Sequence, residues 1–140
     1  MSLVLDASVT LAWCFEDEQT PAVMDLLDRI AETGGVAPLL WPLEALNGLF
    51  AAERRRRIAA ETRATLAAFL RELPITLDGD TAERVWDATA RLASQFKLTV
   101  YDAAYLELAQ RRRLPLASLD QDLRTAAKAS GIDVLGVASE

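Results

Sequence analysis

The chain begins with an uninterrupted apolar run, Leu3, Val4 and Leu5, that stops at a carboxylate, Asp6, followed by small Ala7 and Ser8. A run without polar alternation suits a strand covered on both faces, as in a parallel sheet flanked by helices. Ligands of such sheets bind outside the carboxyl ends of the strands. Asp6 is therefore either a strand-end helix cap or the first member of a site. Which of these it is depends on whether other acids come to meet it.

The segments that follow alternate in type. Residues 8–15 read as a short helix capped by Ser8, and Glu16, Asp17 and Glu18 break it. Thr20-Pro21 is a cap followed by proline at the first helical position. Val23, Leu26, Leu27 and Ile30 then recur at helical spacing until Gly34-Gly35. Val36-Ala37 is a very short strand. Residues 42–70 read as a helical hairpin, with Leu43, Leu46, Leu49 and Phe50 inward on its first arm. Ile58, Leu66, Phe69 and Leu70 are inward on its second. Residues 73–77 form a short strand or connector. Asp80 and Glu83 have capping-box spacing, and Val85, Thr89, Leu92 and Phe96 carry a helix. Thr99 starts another, which ends in Arg111, Arg112 and Arg113. A strand at 115–119 delivers Asp120, a helix spans 121–129 and stops near Gly131, and 132–137 is the last strand. This order predicts an α/β chain with a parallel sheet between helical layers. At 140 residues, with no repeat or long linker, a single domain over residues 1–140 is expected.

Composition removes whole classes of chemistry. There is no histidine and only one cysteine, Cys14. A Ser-His-Asp triad, a histidine metal ligand and an internal disulfide are therefore excluded. Cys14 reads as a small, at least half-buried residue, since nothing near it lowers a thiol pKa. Catalysis, if any, falls to carboxylates, hydroxyls, Lys or Arg, and a cation held by oxygen ligands is the natural route. The net charge of -6 disfavours a general nucleic-acid binder, yet acids gathered at a metal site can coexist with a local basic patch. No apolar run is long enough to span a membrane. No basic segment precedes the first apolar residues, so the start does not look like a signal peptide, and a cytoplasmic location is expected.

Four acids hold special places. Asp6 and Asp120 follow strands, and Glu44 and Asp102 lie in the first turns of helices. A parallel sheet gathers strand ends and helix starts on one edge, so a fold of this class can unite them. Each also has a local reading. Asp102 completes a Thr99 cap, Asp120 caps the helix after it, and Glu44 is a favourable early-helix acid. The basic runs, Arg54, Arg55, Arg56 and Arg57 and then Arg111, Arg112 and Arg113, complement helix dipoles or contact phosphate, with Lys97 helping. Trp13, Trp41 and Trp86 suit base stacking. For Trp86 core packing is the stronger reading, whereas Trp13 and Phe15 suit a partner contact. Tyr101 and Tyr105 read as packing residues with polar tips.

The sequence resembles the PIN-domain ribonucleases, and among them the VapC-type toxins of type II toxin–antitoxin pairs. The likeness rests on four stretches in order. They are Leu3-Val4-Leu5-Asp6-Ala7-Ser8, then Trp41-Pro42-Leu43-Glu44-Ala45-Leu46-Asn47, then residues 99–109 around Asp102, then Leu116-Ala117-Ser118-Leu119-Asp120. The resemblance implies a three-layer α/β/α sandwich with a short, mainly parallel sheet. It implies that Asp6, Glu44, Asp102 and Asp120 surround one or two Mg2+ or Mn2+ ions. Asp122 matches a further acidic position, and Ser8, Asn47 and Ser118 match supporting polar ones. The family often has threonine where Ser118 stands, so the hydroxyl is kept. The implied activity is metal-dependent endonucleolytic hydrolysis of RNA. The implied partners are a cognate antitoxin and a second copy of the chain, with a larger toxin–antitoxin assembly as an extension. Two rivals remain: a related nuclease acting on DNA or maturing structured RNA, and a non-enzymatic α/β binding module whose acids are mostly caps.

Overall fold

The computed structural model describes residues 2–138. The opening apolar run forms strand β1 (Val4–Leu5), with Leu3, Val4 and Leu5 fully buried. Helix α1 (Ala7–Ala12), a 3-10 turn (Glu16–Glu18) and helix α2 (Pro21–Thr33) lead to strand β2 (Gly35–Pro38). The hairpin follows as α3 (Trp41–Arg54) and α4 (Ala60–Arg71), and then strand β3 (Ile75–Asp78). A single helical stretch is built from α5 (Thr81–Arg84), a π turn (Val85–Thr89) and α6 (Ala90–Phe96). Helix α7 (Val100–Arg112), strand β4 (Leu116–Ala117), helix α8 (Gln121–Ala129) and strand β5 (Val134–Leu135) complete the order.

Among the described residues, five strands form one sheet in the order β3-β2-β1-β4-β5, and each pairing is parallel. The helices cover the sheet as the outer layers of an α/β/α sandwich, as the apolar strands require. Chain order reverses at β1: β2 lies on one side of it and β4 on the other. The carboxyl ends of β1 and β4 therefore flank the switch point at which open sheets of this kind form a crevice. Asp6 follows β1 there, and Ser118 to Asp120 follow β4.

Several local expectations are corrected. Asp6, not Ser8, occupies the cap position of α1, and its side chain makes no cap bond. Ser8 lies inside the first turn, with its hydroxyl committed to Asp6. On α3 the buried face is Trp41, Ala45, Leu49 and Ala52, whereas Leu43 is 74% and Leu46 42% exposed. The physical reason is close approach to α1. A Cβ at Gly48 would stand 2.3 Å from Leu11 Cδ1, so the small-residue side of the helix turns inward and the larger leucines are rotated out. On α4 Leu70 is buried, Ile58 and Leu66 are half-buried, and Phe69 is exposed. Asp80 makes no cap bond, and the hydroxyl of Thr81 bonds Asp78. Trp86 is 84% exposed at the π turn, so it is not a core residue. Trp13 and Phe15 are buried, and Trp13 Nε1 donates to Val23 O at 2.8 Å, so neither is free to meet a partner. The strands are shorter than the sequence suggests at 115–119 and 132–137.

Candidate functional site

Asp6 is placed by β1 and held by two hydroxyls. Ser8 Oγ donates to Asp6 Oδ2 at 2.6 Å and Ser118 Oγ donates to the same oxygen at 2.8 Å. Ser118 Oγ also accepts the Asp120 N–H at 3.1 Å, and Ser8 Oγ accepts the Leu119 N–H at 2.9 Å. The two serines thus tie the exit of β1 to the exit of β4. Asp6 is buried, and burial raises its carboxyl pKa. The hydroxyls of Ser8 and Ser118 and the Ala7 N–H oppose that rise, and the charge of Asp120 adds to it.

Glu44 comes from the first turn of α3. Its Oε1 accepts from the hydroxyl of Tyr105 at 2.7 Å, and Tyr105 is fully buried on α7. Burial raises the Glu44 pKa, Tyr105 lowers it, and Asp6 raises it again. Burial, followed by the charges of Asp6 and Glu44, also drives the Tyr105 phenol upward, so it remains a donor. The pair of tyrosines divides: Tyr105 packs with its tip bonded, while Tyr101 is 63% exposed.

Asp102 lies in the first turn of α7, where Thr99 Oγ1 accepts its N–H at 3.1 Å. Its carboxyl is pushed up to about 6, first by burial and then by the charges of Asp120, Asp6 and Glu44. Asp120 caps α8, with Oδ2 accepting the Leu123 N–H at 2.9 Å. The cap readings of Thr99 and Asp120 are therefore correct, and they do not remove either acid from the group. Asp6, Glu44, Asp102 and Asp120 act on one another electrostatically, and among the described residues none of them has an ion-pair partner. Asp122 stands apart, exposed on α8 beside a shallow hollow that it shares with Lys97 and Thr125. Asn47 is exposed one turn beyond Glu44.

The donor set suits a hard divalent cation. It consists of oxygens alone, and its mutual repulsion is what such an ion relieves. Among the described residues, no three ligating side chains are gathered tightly enough to enclose an ion by themselves.

The arginine runs separate into two kinds. Arg111 is held by acids: it bonds Asp78 and Glu107, both buried, and stands 3.9 Å from Asp80. Burial works to raise Asp78, but bonds from Arg111 and the Asp80 N–H, with the charge of Arg111, hold it below the usual carboxylate value. Arg57 bonds Asp17 and Glu18 and lies over the Phe15 ring at 4.3 Å. Arg54, Arg55, Arg56, Arg112 and Arg113 are exposed. Cys14 is half-buried, and burial, with Glu18, pushes its thiol up to about 11, against any role as a nucleophile.

Sequence reasoning missed three features of this region. Tyr105 was legible as packing but not as the partner of Glu44. Arg124, buried on α8, bonds two backbone carbonyls, and no local pattern marks it. An apolar groove of about 450 Å³ runs between the helical hairpin and the β3 side of the sheet, lined by Trp41, Leu46, Leu49, Leu70, Leu73 and Leu77. Its lining carries no carboxylate, so it is distinct from the acidic crevice.

No curated protein is significantly similar to the chain. Solved structures share the fold. PAE2754 from Pyrobaculum aerophilum is 23% identical with a TM-score of 0.69, over 96% of this chain and 83% of that one. FitAcB from Neisseria gonorrhoeae is 15% identical with a TM-score of 0.65, over 94% and 95%. A toxin–antitoxin complex from Klebsiella pneumoniae is 21% identical with a TM-score of 0.51, over 86% and 89%. The model of the PIN domain family matches residues 3–129, a span that contains all four acids and both sides of the switch point. The chain belongs to the PIN domain family.

Proposed function

We propose that the chain is a divalent-ion-dependent endoribonuclease and the toxin of a toxin–antitoxin pair. The observation that carries this reading is Asp6. It is a buried carboxylate that caps nothing, has no cation partner among the described residues, and is pressed by Asp120. A binding module whose acids are caps accounts for Thr99, Asp102 and Asp120 but not for Asp6. Family membership supports a nuclease, and one of the similar folds is described as a toxin–antitoxin complex.

In this reading Asp6 and Asp102 are the principal ligands of Mg2+ or Mn2+, one ion or two. Asp120 completes the shell, and Glu44 serves a second ion or orients the attacking water. Ser8 and Ser118 keep the Asp6 carboxylate oriented, and Tyr105 does the same for Glu44. A divalent ion held by these acids would supply a water of lowered pKa and charge stabilisation for the leaving oxygen. The product ends follow from the resemblance: a 5′-phosphate and a 3′-hydroxyl. The exposed arginines Arg54, Arg55, Arg56, Arg112 and Arg113 are the available phosphate contacts, with Arg57 and Arg111 engaged elsewhere. Asn47, one turn beyond Glu44, would be an outer polar neighbour of the site, whereas Asp122 faces a separate hollow with Lys97 and Thr125.

The antitoxin would lay an apolar segment in the groove beside α3 and offer Arg or Lys to the acids. Leu43 and Trp86, both largely exposed, are surface that an antitoxin or the second copy of a homodimer would cover. Among the described residues no helix is long and apolar enough to cross a membrane. Product mapping on matched RNA and DNA, with Mg2+ or Mn2+ and with chelator, tests the activity. RNA cut only with the ion supports it. Preferential cutting of DNA supports the related nuclease instead, and no cutting of either, with no divalent-ion binding, supports the binding module.

A further inference from the structure

Arg124 is a buried cation without a carboxylate partner among the described residues. It is 8% exposed on α8, and its Nη1 donates to Ser118 O at 2.8 Å and Leu135 O at 3.1 Å. Placing a guanidinium out of water against neutral carbonyls is costly, so its position calls for a reason beyond filling space. Leu135 O already accepts the Ser118 N–H at 3.1 Å. The added contact is the one to Ser118 O, just beyond the end of β4. β5 ends at Leu135, and Gly136 leaves it with φ +117, so the ladder stops at this point. The same Ser118 donates its hydroxyl to Asp6 and receives the Asp120 N–H on it.

We propose that Arg124 is a positioning residue of the acidic site, fixing the Ser118 carbonyl and with it the hydroxyl that joins Asp6 to Asp120. The guanidinium takes over where the sheet no longer supplies a donor, and it touches neither acid itself. Gly136 serves the same carbonyl. A Cβ there would lie 3.3 Å from Ser118 O, in a backbone conformation that residues with side chains rarely adopt. The meaning of this role rests on reading the four acids as a metal site; the geometry that it fixes does not.

The test compares wild type, R124M, R124K and G136A. It measures Mn2+ binding by calorimetry, melting temperature, and hydrogen exchange of the Asp120 amide against that of Val36, which bonds Leu3 O inside the sheet. R124M is expected to weaken Mn2+ binding about 10-fold, the usual effect of losing an outer-shell partner. It is also expected to speed exchange at Asp120 more than at Val36. R124K keeps a cationic donor and recovers part of both. Wild-type Mn2+ affinity together with unchanged Asp120 exchange in R124M overturns the proposal, whatever happens to the melting temperature. If R124M does not fold, G136A carries the same two readouts with the same outcomes. If wild type binds no Mn2+, the nuclease reading fails, and Asp120 exchange alone then decides whether Arg124 positions this segment.

Discussion

Asp102 and Asp78 are both acids in contact with α7 or its neighbours, yet their surroundings shift them in opposite directions. Asp78 meets Arg111, so its charged form is favoured. Its contribution to stability is present above the unfolded value of 3.8 and is lost as pH falls through the lower folded value. Asp102 meets burial and three like charges, and its pKa rises from 3.8 to about 6. The folded chain therefore holds that proton more tightly than the unfolded chain. Stability from this group is fullest below 3.8 and declines as pH rises to about 6, after which it stays low. D102N removes that decline. In the presence of chelator, its melting temperature should exceed that of wild type above pH 6, with the difference vanishing below pH 3.8. Thermal unfolding across that range checks it, and a D102N protein less stable than wild type above pH 6 would contradict the assigned repulsion. A gain in stability on removing this charge would mark a residue kept for a purpose other than folding.

At the scale of elements, α7 joins two electrostatic regimes. Its first turn brings Asp102 to the crevice, and its last turns bring Glu107 and Arg111 beneath the end of β3. The second regime is a closed network. Arg111 links Asp78 to Glu107, and Thr81 links Asp78 to the Leu39 N–H at the approach to α3. Through it the loop that leads into α3, the helix of Glu44, is braced from the far end of α7. R111M leaves two buried carboxylates unpaired, so it should cost about 3 kcal/mol or more in urea unfolding at neutral pH. A loss below about 1 kcal/mol, the size of an exposed pair, would show that the network is not desolvated. The arginine run 111–113 is thus divided by the fold: its first member is structural, and only the next two face solvent.

For the molecule as a whole, the sequence carried what repeats or stands next to its cause. The apolar run of β1, the Thr20-Pro21 and Thr99 caps and the order of strands were legible because neighbouring residues determine them. The places of the four acids were legible because strand ends and helix starts are local features, and a parallel sheet collects them on one edge. What was not legible depends on distant partners. The inward face of α3 is set by Gly48 meeting Leu11 across α1, and periodicity alone chose the larger leucines. Trp86 looked like core because it stands in the middle of a helix, but the π turn that presents it outward has no sequence mark. Arg124 and Tyr105 acquire their roles only when β4 and α3 arrive beside them.

Asp6, Glu44, Asp102 and Asp120 are proposed to work together on RNA with a divalent ion. A single comparison bears on it most directly: cleavage of a labelled single-stranded RNA in Mn2+ by wild type, D6N and D102N, each shown to be folded by circular dichroism. Wild type is expected to cut, chelator to stop it, and both variants to be at least about 100-fold slower while remaining folded. Cutting by both variants at the wild-type rate, or cutting by wild type that persists in chelator, would contradict that joint role.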